Sequence, residues 1–154
     1  GYTEGGLDGN TNSGKQDIFL VKYNSSGAKL WTKQLGTPLY DSANGLAIDS
    51  SDNIYVTGFT QGNLYTYSGG KDVFVVKYDS SGTKQWTRQV GAPSFSQKSP
   101  YNSSSQMVSS EDEGKKVSID SSGNIYLTGN TQGGLDGNSN SGKEDIFLIK
   151  YKSM

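Results

Sequence analysis

The stretch Asp72-Val-Phe-Val-Val-Lys-Tyr78 decides the fold, because the chain contains it three times in slightly varied form. It recurs upstream as Asp17-Ile-Phe-Leu-Val-Lys-Tyr23 and downstream as Asp145-Ile-Phe-Leu-Ile-Lys-Tyr151. Its apolar residues occupy both faces of an extended chain, as expected for a strand that is covered on both sides. A short, doubly buried strand that returns at nearly regular intervals predicts a repeat protein built from sheets.

The segments on either side of this strand repeat in the same order. Trp31-Thr-Lys-Gln-Leu-Gly36 returns as Trp86-Thr-Arg-Gln-Val-Gly91, at the same spacing as Asp17 and Asp72. Ile48–Gly58 returns as Ile119–Gly129, at a longer spacing. An insertion before Asp112 accounts for the longer spacing. The number of residues from Asp17 to Asp72 is therefore the length of one repeat unit.

Each unit contains four short runs with strand character. In the middle unit these are Gly45–Ile48, Asn53–Phe59, Asp72–Tyr78 and Lys84–Val90. The connections between the first pair and between the second pair supply the Asp, Asn and Gly residues of tight turns. No segment has the apolar periodicity of a helix. Four-stranded sheets that repeat in this way and cover one another predict the blades of an all-β propeller.

These motifs resemble a known repeat family. The pattern Asp-x-Phe-x-x-Lys-Tyr-x-Ser-Ser-Gly-x-x-x-Trp-Thr at residues 17–32, followed by Ile48–Gly58, is similar to the bacterial seven-bladed β-propeller repeat, or SBBP repeat. The Asn-Ile-Tyr hairpin also resembles NHL-type propeller repeats. The SBBP resemblance covers the chain except the insertion, and it implies that the four strands run from the inner to the outer edge of a blade. It also implies a secreted or surface protein, and it carries no catalytic residues to transfer.

The phase of the repeat divides the chain into one complete blade and two partial ones. Residues 41–91 form the complete blade, residues 1–36 lack an inner strand, and residues 112–151 lack an outer strand. Residues 92–111 are an inserted loop. The expected fold is therefore a β-propeller fragment of about 2.3 four-stranded blades, which closes by oligomerisation or belongs to a longer propeller. We expect the isolated chain to self-associate through its open sheet edges and blade faces.

Composition excludes several classes of function. The net charge of −1 provides no basic field to attract nucleic acid, and no stretch reaches the ~18 apolar residues of a membrane span. The chain has neither Cys nor His, which removes disulfides, thiolate metal sites and the Ser-His or Cys-His pairs of hydrolases. We therefore predict no catalytic residues, no enzyme activity, no nucleic-acid partner and no membrane span.

Two loops carry oxygen side chains at alternate positions, a pattern typical of calcium ligands. The first has Asp8, Asn10, Asn12 and Asp17, and the second has Asp136, Asn138, Asn140 and Asp145. The spacing departs from that of an EF-hand, because the Gly comes one place late and Phe19 stands where a Glu is expected. The preferred interpretation is an Asx-rich turn that links two strands. A calcium site is the alternative, and no other cofactor is expected.

Two further residue types recur at fixed repeat positions. Trp31 and Trp86 are interpreted as packing between blades, with stacking on a sugar ring as the alternative. Asp17, Asp72 and Asp145 open the third strand of every copy. Recurrence in every unit favours a structural role for these carboxylates over acid–base chemistry.

Aromatic residues in the loops are the candidate ligand-binding residues. The 92–111 insertion interrupts the repeat and carries Phe95 and Tyr101, and the linker of the middle unit carries Tyr65 and Tyr67. Binding residues concentrate on such loops of rigid scaffolds. We predict a non-catalytic binding or scaffold propeller, extracellular or on the bacterial cell surface, whose ligand is a protein or a glycan. The alternative is a lectin-like, carbohydrate-binding propeller.

Overall fold

Strands form at the repeated apolar runs and end at the turns that contain Asn, Asp and Gly. The computed structural model describes residues 1–98 and 105–152. The helical content of these ranges is a single 3₁₀ turn at Leu135–Gly137. The strands of the same ranges are β1 (Tyr2–Thr3), β2 (Asp17–Tyr23), β3 (Lys29–Leu35), β4 (Asp41–Ile48), β5 (Ile54–Thr60), β6 (Asp72–Tyr78), β7 (Lys84–Val90), β8 (Phe95–Lys98), β9 (Ser105–Val108), β10 (Glu113–Ile119), β11 (Ile125–Thr131) and β12 (Asp145–Tyr151).

Antiparallel pairing of consecutive strands produces the larger sheets of the described chain, termed blades 1, 2 and 3. Blade 1 has the order β1-β2-β3, blade 2 has β4-β5-β6-β7, and blade 3 has β10-β11-β12. In blade 2 the register aligns Asp41 with Thr60 and Thr60 with Asp72 at one end, and Ile48 with Ile54 at the other. The predicted all-β, propeller-type architecture is thus confirmed.

Each blade has two ends that differ in their connections. At the turn end, tight turns begin at Asn24, Asp49, Asp79 and Asp120. The side-chain oxygen of each of these residues accepts the backbone N–H groups two and four residues later, at 2.8–3.1 Å. At the loop end lie the longer β1–β2, β5–β6 and β11–β12 loops and the linkers between blades. Variation in loop length is therefore concentrated at the loop end.

The strand bounds in blade 2 follow the prediction, except that β5 is Ile54–Thr60 and not Asn53–Phe59, and that the inner strand begins earlier. The strands β6 and β7 coincide with the predicted Asp72–Tyr78 and Lys84–Val90, whereas β4 begins at Asp41 and not at Gly45. A β-bulge lies between Ala43 and Gly45. A bulge shifts the alternation of side chains, so the polar residues before it gave no strand pattern.

The insertion differs more, since residues 92–111 were predicted to be a loop. They contain an antiparallel hairpin in which β8 pairs with β9, from Phe95 opposite Val108 to Lys98 opposite Ser105. Hairpin pairing is made by backbone N–H and C=O groups. A polar segment is therefore able to form strands without the apolar alternation from which strands are predicted.

The apolar cores lie between blades. Phe74, Val76 and Tyr78 of β6 pack with Ile18 and other residues of blade 1. The alternate residues of β6 pack with blade 3, around Phe147. The residues from Val73 to Val76 are 0–1% exposed, as expected for a strand covered on both faces. Because a fully buried apolar side chain contributes about 1.5–3 kcal/mol, β6 is central to the stacking of the blades.

Candidate functional site

An aspartate opens β2, β6 and β12, which are equivalent strands of the three blades, and it holds the end of the preceding loop. Oδ2 of Asp17 accepts the backbone N–H of the residue four positions earlier at 2.8 Å, and Asp72 and Asp145 do the same at 2.7 Å. Asp17 and Asp72 have no exposed surface. These contacts favour the structural interpretation, because a buried carboxylate that caps its own loop is not accessible to a substrate.

A glutamine on the outer strand completes this arrangement in blades 1 and 2. Gln34 donates to Oδ2 of Asp17 at 3.0 Å, and Gln89 donates to Oδ2 of Asp72 at 2.9 Å. The Oε1 atom of Gln89 also accepts the backbone N–H of Tyr65 at 2.9 Å. The side-chain amide of Gln89 therefore links β6, β7 and the β5–β6 loop, and it fixes the backbone position of Tyr65.

A second buried aspartate joins blade 2 to blade 1, and another joins blade 3 to blade 2. Asp41, at the start of β4, accepts the backbone N–H of Thr37 at 2.6 Å and the hydroxyl groups of Thr37 and Thr60. Asp112, just before β10, accepts the N–H of Ala92 at 2.6 Å. Thr37 and Ala92 each follow the glycine that comes directly after an outer strand. These bonds therefore fix the linkers between successive blades.

Two of the buried carboxyl groups have raised pKa values. Burial raises the pKa of Asp41 above its ordinary value against the hydrogen bonds from Thr60 and Thr37, and the charge of Asp17 adds to the rise. Burial also raises the pKa of Asp72. Within the described part of the chain, Oδ1 of Asp17 and Oδ1 of Asp72 have no hydrogen-bond partner. The blade junctions thus contain carboxylates that are held at an electrostatic cost.

The first candidate calcium loop folds as a hydrogen-bonded turn. Asp8 has a left-handed backbone, with φ of 49°, and its carboxylate forms an ion pair with Lys29 at 2.6 Å. The side-chain amide of Asn10 donates to the Leu7 carbonyl at 2.7 Å. Oδ1 of Asn12 accepts the backbone N–H two residues later at 2.8 Å. Each of these side chains already has a protein partner, in keeping with an Asx-rich turn.

The second candidate calcium loop repeats this geometry in blade 3. Asp136 has φ of 51°, the amide of Asn138 donates to the Leu135 carbonyl at 2.9 Å, and Oδ1 of Asn140 accepts a backbone N–H at 2.9 Å. Across residues 1–98 and 105–152, no group of three or more acidic, His or Cys side chains is placed to hold a metal ion. Calcium binding stays a prediction for Asp8, Asn10, Asn12, Asp17, Asp136, Asn138, Asn140 and Asp145.

Tyr65 and Tyr67 lie on the β5–β6 loop, at the loop end of blade 2. Their side chains are 56% and 47% exposed. The guanidinium of Arg88 lies 5.8 Å from the centroid of the Tyr65 ring, and the Tyr67 hydroxyl accepts the N–H of Gly70 at 3.0 Å. Both rings are therefore at the surface and are held by defined contacts.

The base of the insertion lies beside this loop. Lys71, at the end of the β5–β6 loop, forms an ion pair at 3.3 Å with Glu111, at the end of the insertion. Phe95 begins β8, whereas Tyr101 lies outside the residues that the structure describes. Met107 of β9 is 71% exposed. The loop end of blade 2 thus brings together two of the segments that were predicted to bind a ligand.

Sequence reasoning did not identify a cleft of about 690 Å³ at the turn end, between blades 2 and 3. Trp86 and Tyr55 supply its aromatic lining and meet edge to face, with ring centroids 6.0 Å apart. Asp49 and Asp120, from the turns of two successive blades, line the same cleft together with Arg88. An aromatic surface between carboxylates and a guanidinium is chemically suited to a polar, ring-shaped ligand.

The two carboxylates of the cleft are ionised at neutral pH. A hydrogen bond from Asn124, with smaller contributions from Tyr126 and the turn backbone, lowers the pKa of Asp120 to about 2. Burial alone would raise the pKa of Asp49, but hydrogen bonds from Asn53 and from other groups of its turn lower it overall. The cleft therefore contains two negative charges of fixed position, and their oxygens already accept hydrogen bonds from their own turns.

The equivalent position between blades 1 and 2 is filled. Gly82, in the β6–β7 turn, packs against the Trp31 ring, and Nζ of Lys22 donates to the Ser80 carbonyl of the same turn at 2.9 Å. Trp31 and Trp86 occupy the same place in the repeat. The β6–β7 turn thus covers Trp31, whereas the cleft beside Trp86 is lined by Tyr151 and Lys152 at the end of the described residues.

Comparison with known repeats agrees with this architecture. Residues 30–66 and 108–136 match the model of the SBBP β-propeller repeat. The first matched segment contains β3 from its second residue together with β4 and β5, and the second contains β10 and β11. The predicted resemblance to this repeat family is thus confirmed at two segments of the chain.

Two larger proteins are similar to nearly the whole chain. The uncharacterized WD repeat-containing protein L264 of Acanthamoeba polyphaga mimivirus is 27% identical over 168 residues, which cover 97% of this chain and 11% of that protein. The regulatory protein FlaEY of Caulobacter vibrioides is 28% identical over 158 residues, which cover 94% of this chain and 15% of that protein. The chain thus spans only a small part of either relative. Among the described residues, no helix is long and apolar enough to cross a membrane.

Proposed function

We propose that this chain, which carries SBBP repeats, is a non-catalytic binding or scaffold part of a β-propeller in a secreted or cell-surface bacterial protein. The observation that carries the proposal is the loop end of blade 2. There the 92–111 insertion interrupts the repeat next to the exposed Tyr65 and Tyr67. Exposed tyrosines contribute a large contact area at a small cost in side-chain entropy, which suits them to recognition surfaces.

The chemistry of the chain supports a binding role without catalysis. The chain has no His and no Cys, and the aspartates at the blade junctions are fully buried and bonded to loops and linkers. The net charge of −1 supports a protein or glycan ligand over a nucleic acid. The two relatives are named for WD repeats and for regulation, and such names are consistent with a repeat-based scaffold.

The test is selection from a phage-displayed peptide library on the immobilised chain, followed by titration of the selected peptides. We expect Tyr65→Ala with Tyr67→Ala to weaken the selected peptides at least about tenfold, which corresponds to loss of ~1.4 kcal/mol of contact energy. The matched control is Ile48→Ala, because Ile48 is 57% exposed and lies at the opposite end of the same blade. Selected peptides that respond to the control and not to the tyrosine variants would contradict the proposal.

A second candidate is carbohydrate binding, and the Trp86 cleft favours it. Sugars present apolar ring faces and many hydroxyl groups, and the cleft offers an aromatic pair beside the carboxylates of Asp49 and Asp120. The cleft volume of about 690 Å³ falls within the range of small-molecule sites. This function would use the turn end of the blades and not the loop end.

A glycan array followed by calorimetry on the strongest glycan tests this candidate. We expect Trp86→Leu to abolish binding and Trp31→Leu to leave it unchanged. Trp31 is the matched control, since it has the same place in the repeat but is covered by the β6–β7 turn. Thermal melting verifies that both variants fold. An array without binding, or equal effects of both substitutions, rejects the candidate.

A further inference from the structure

The two interfaces between blades are of one type, and in both the same face of one blade packs against the same opposite face of the next. Each blade has an aliphatic face on the equivalent strands β2, β6 and β12. Its residues are Ile18 and Leu20 in blade 1, Val73 and Val75 in blade 2, and Ile146 and Leu148 in blade 3. The opposite side is the aromatic face, formed by Phe19, Val21 and Tyr23, by Phe74, Val76 and Tyr78, and by Phe147, Ile149 and Tyr151. At both junctions the aliphatic face of one blade packs against the aromatic face of the next.

One face of each kind is exposed. On the aliphatic face of blade 3, Ile146 is 88% exposed and Leu148 is 72% exposed. On the aromatic face of blade 1, Tyr23 is 58% exposed, whereas its counterpart Tyr78 in blade 2 is 5% exposed. Ile18, the counterpart of Ile146, is 2% exposed. These surfaces are therefore the two complementary halves of the interface that buries their counterparts.

The exposed aliphatic face already has the side-chain arrangement of its buried counterpart. Nζ of Lys150 lies 5.1 Å from the centroid of the Tyr126 ring, as Nζ of Lys77 lies 5.3 Å from that of Tyr55 in blade 2. In blade 1 the equivalent Lys22 donates to a turn carbonyl of the following blade at 2.9 Å. Lys77 and Lys150 thus lie over a tyrosine of their own blade, whereas Lys22 reaches the turn of the next blade.

We propose that the aliphatic face of blade 3 docks onto the aromatic face of blade 1 of a second copy of this chain, head to tail. In this arrangement Ile146 and Leu148 pack between Phe19, Val21 and Tyr23 of the partner copy. Lys150 donates to the carbonyl of Ser25 in the partner copy, because Ser25 occupies the turn position that Ser80 occupies in blade 2. Such a contact joins different surfaces of the two copies, so it repeats into a ring or a filament.

The proposal is tested by sedimentation of the full chain over a range of concentrations, together with two charge-inserting variants. We expect the wild-type mass to rise above that of one chain with concentration. Leu148→Glu blocks one half of the interface and Tyr23→Glu blocks the other, so each variant alone sediments as a single chain. A mixture of the two forms a species of twice that mass and no larger, because each supplies the half that the other lacks.

Matched controls separate this contact from general stickiness. Met107→Glu changes a residue that is 71% exposed, as against 72% for Leu148, and Tyr65→Glu changes one that is 56% exposed, as against 58% for Tyr23. Both controls should associate like the wild type. Circular dichroism verifies that all four variants are folded, which is expected because each changed side chain is mostly exposed.

Three results would overturn the proposal. A wild-type chain that stays single at every concentration lacks the contact. Association that survives both variants uses another surface. A mixture that remains single-chain, while the wild type associates, means that the two intact faces do not dock onto each other. As a positional check, the chain has no native Cys, so a bismaleimide crosslinker of about the length of a lysine side chain should join Lys150→Cys chains to Ser25→Cys chains.

Discussion

Asp41 and Asp72 are both fully buried, but their carboxylates are satisfied in different ways. Both oxygens of Asp41 accept hydrogen bonds, whereas only Oδ2 of Asp72 does so. An amide at position 72 keeps one accepting oxygen and removes a negative charge that interacts unfavourably with that of Asp112. An amide at position 41 places an NH₂ group against a donor. The two positions should therefore respond differently to the same substitution.

We expect Asp72→Asn to change the free energy of unfolding at pH 7 by less than about 1 kcal/mol, because loss of a buried negative charge offsets the cost of an amide NH₂ group that has no partner. We expect Asp41→Asn to lower it by about 1–3 kcal/mol, because a buried donor loses its partner. Urea denaturation at pH 7 measures both values. Equal losses in the two variants would show that charge alone, and not the hydrogen-bond pattern, sets the cost.

The raised pKa of Asp72 also predicts the pH dependence of stability. Its native pKa lies above that of an unfolded-chain Asp, which is about 3.9. Between these two values the native state holds a proton that the unfolded state has lost. The stability from this group is therefore present at low pH and is lost as the pH rises through the native pKa. We therefore subtract the free energy of unfolding of Asp72→Asn from that of the wild type. This difference should fall as the pH rises from the unfolded-chain pKa to the native pKa of Asp72. Urea denaturation at a series of pH values measures the difference, and a constant difference would contradict the assignment.

Gly91 packs directly against the unpartnered oxygen of Asp72, and a methyl group at this position would overlap Oδ1 of that residue. We expect Gly91→Ala to lower the free energy of unfolding by about 1–3 kcal/mol, as overpacking of a buried site does. Gly142→Ala is the control, because nothing lies within 4 Å of a methyl group there. Its effect should stay below about 1 kcal/mol. Thermal melting compares the two variants, and similar melting temperatures would contradict the close packing.

At the scale of strands and loops, apolar runs were sufficient to predict β6 and β7 to the residue. The roles of Gln34 and Gln89 were not predictable, because an amide that joins two strands and a loop leaves no periodic signal in the sequence. The cleft at Trp86 was not identified either, because the shared repeat position of Trp31 and Trp86 does not show which segments lie against each ring. The β6–β7 turn covers Trp31, whereas Tyr151 and Lys152, at the end of the described residues, line the cleft beside Trp86.

The β3–β4 linker provides a template for removing the insertion. The N–H of Gln16 donates to the Leu39 carbonyl at 3.2 Å in the first linker, and the N–H of Lys71 donates to the Ser110 carbonyl at 3.0 Å in the second. Both linkers therefore end in the same way, and the short one bridges two blades with residues 37–40 alone.

We expect a chain in which Thr37-Pro-Leu-Tyr40 replaces residues 92–111 to unfold cooperatively. Its free energy of unfolding should lie within about 1.5 kcal/mol of the wild type, since loop length has a weak effect on closure entropy. Binding of peptides selected at the loop end should be lost. Calorimetric melting and peptide titration check both outcomes, and loss of cooperative melting would show that the hairpin is needed for the stacking of blades 2 and 3.

For the whole molecule, blade 2 takes part in both cores, so we expect the three blades to unfold as one unit. The chain has two tryptophans, with Trp31 beside the core between blades 1 and 2 and Trp86 beside the core between blades 2 and 3. In Trp31→Phe and in Trp86→Phe, fluorescence should report one junction, and its transition should coincide with that of far-ultraviolet circular dichroism. Separate transitions within either variant would show that a terminal blade detaches first.

Because every described strand pairs with a neighbour along the chain, each sheet is completed by closing one short loop after another. The strand pairing is therefore sequential along the chain, and pairing of segments close in sequence favours rapid folding. A growing chain is thus able to complete blade 2 before blade 3 has left the ribosome, and blade 3 then adds its strands to a finished surface. The serial pairing of strands makes this architecture compatible with folding in the order of synthesis.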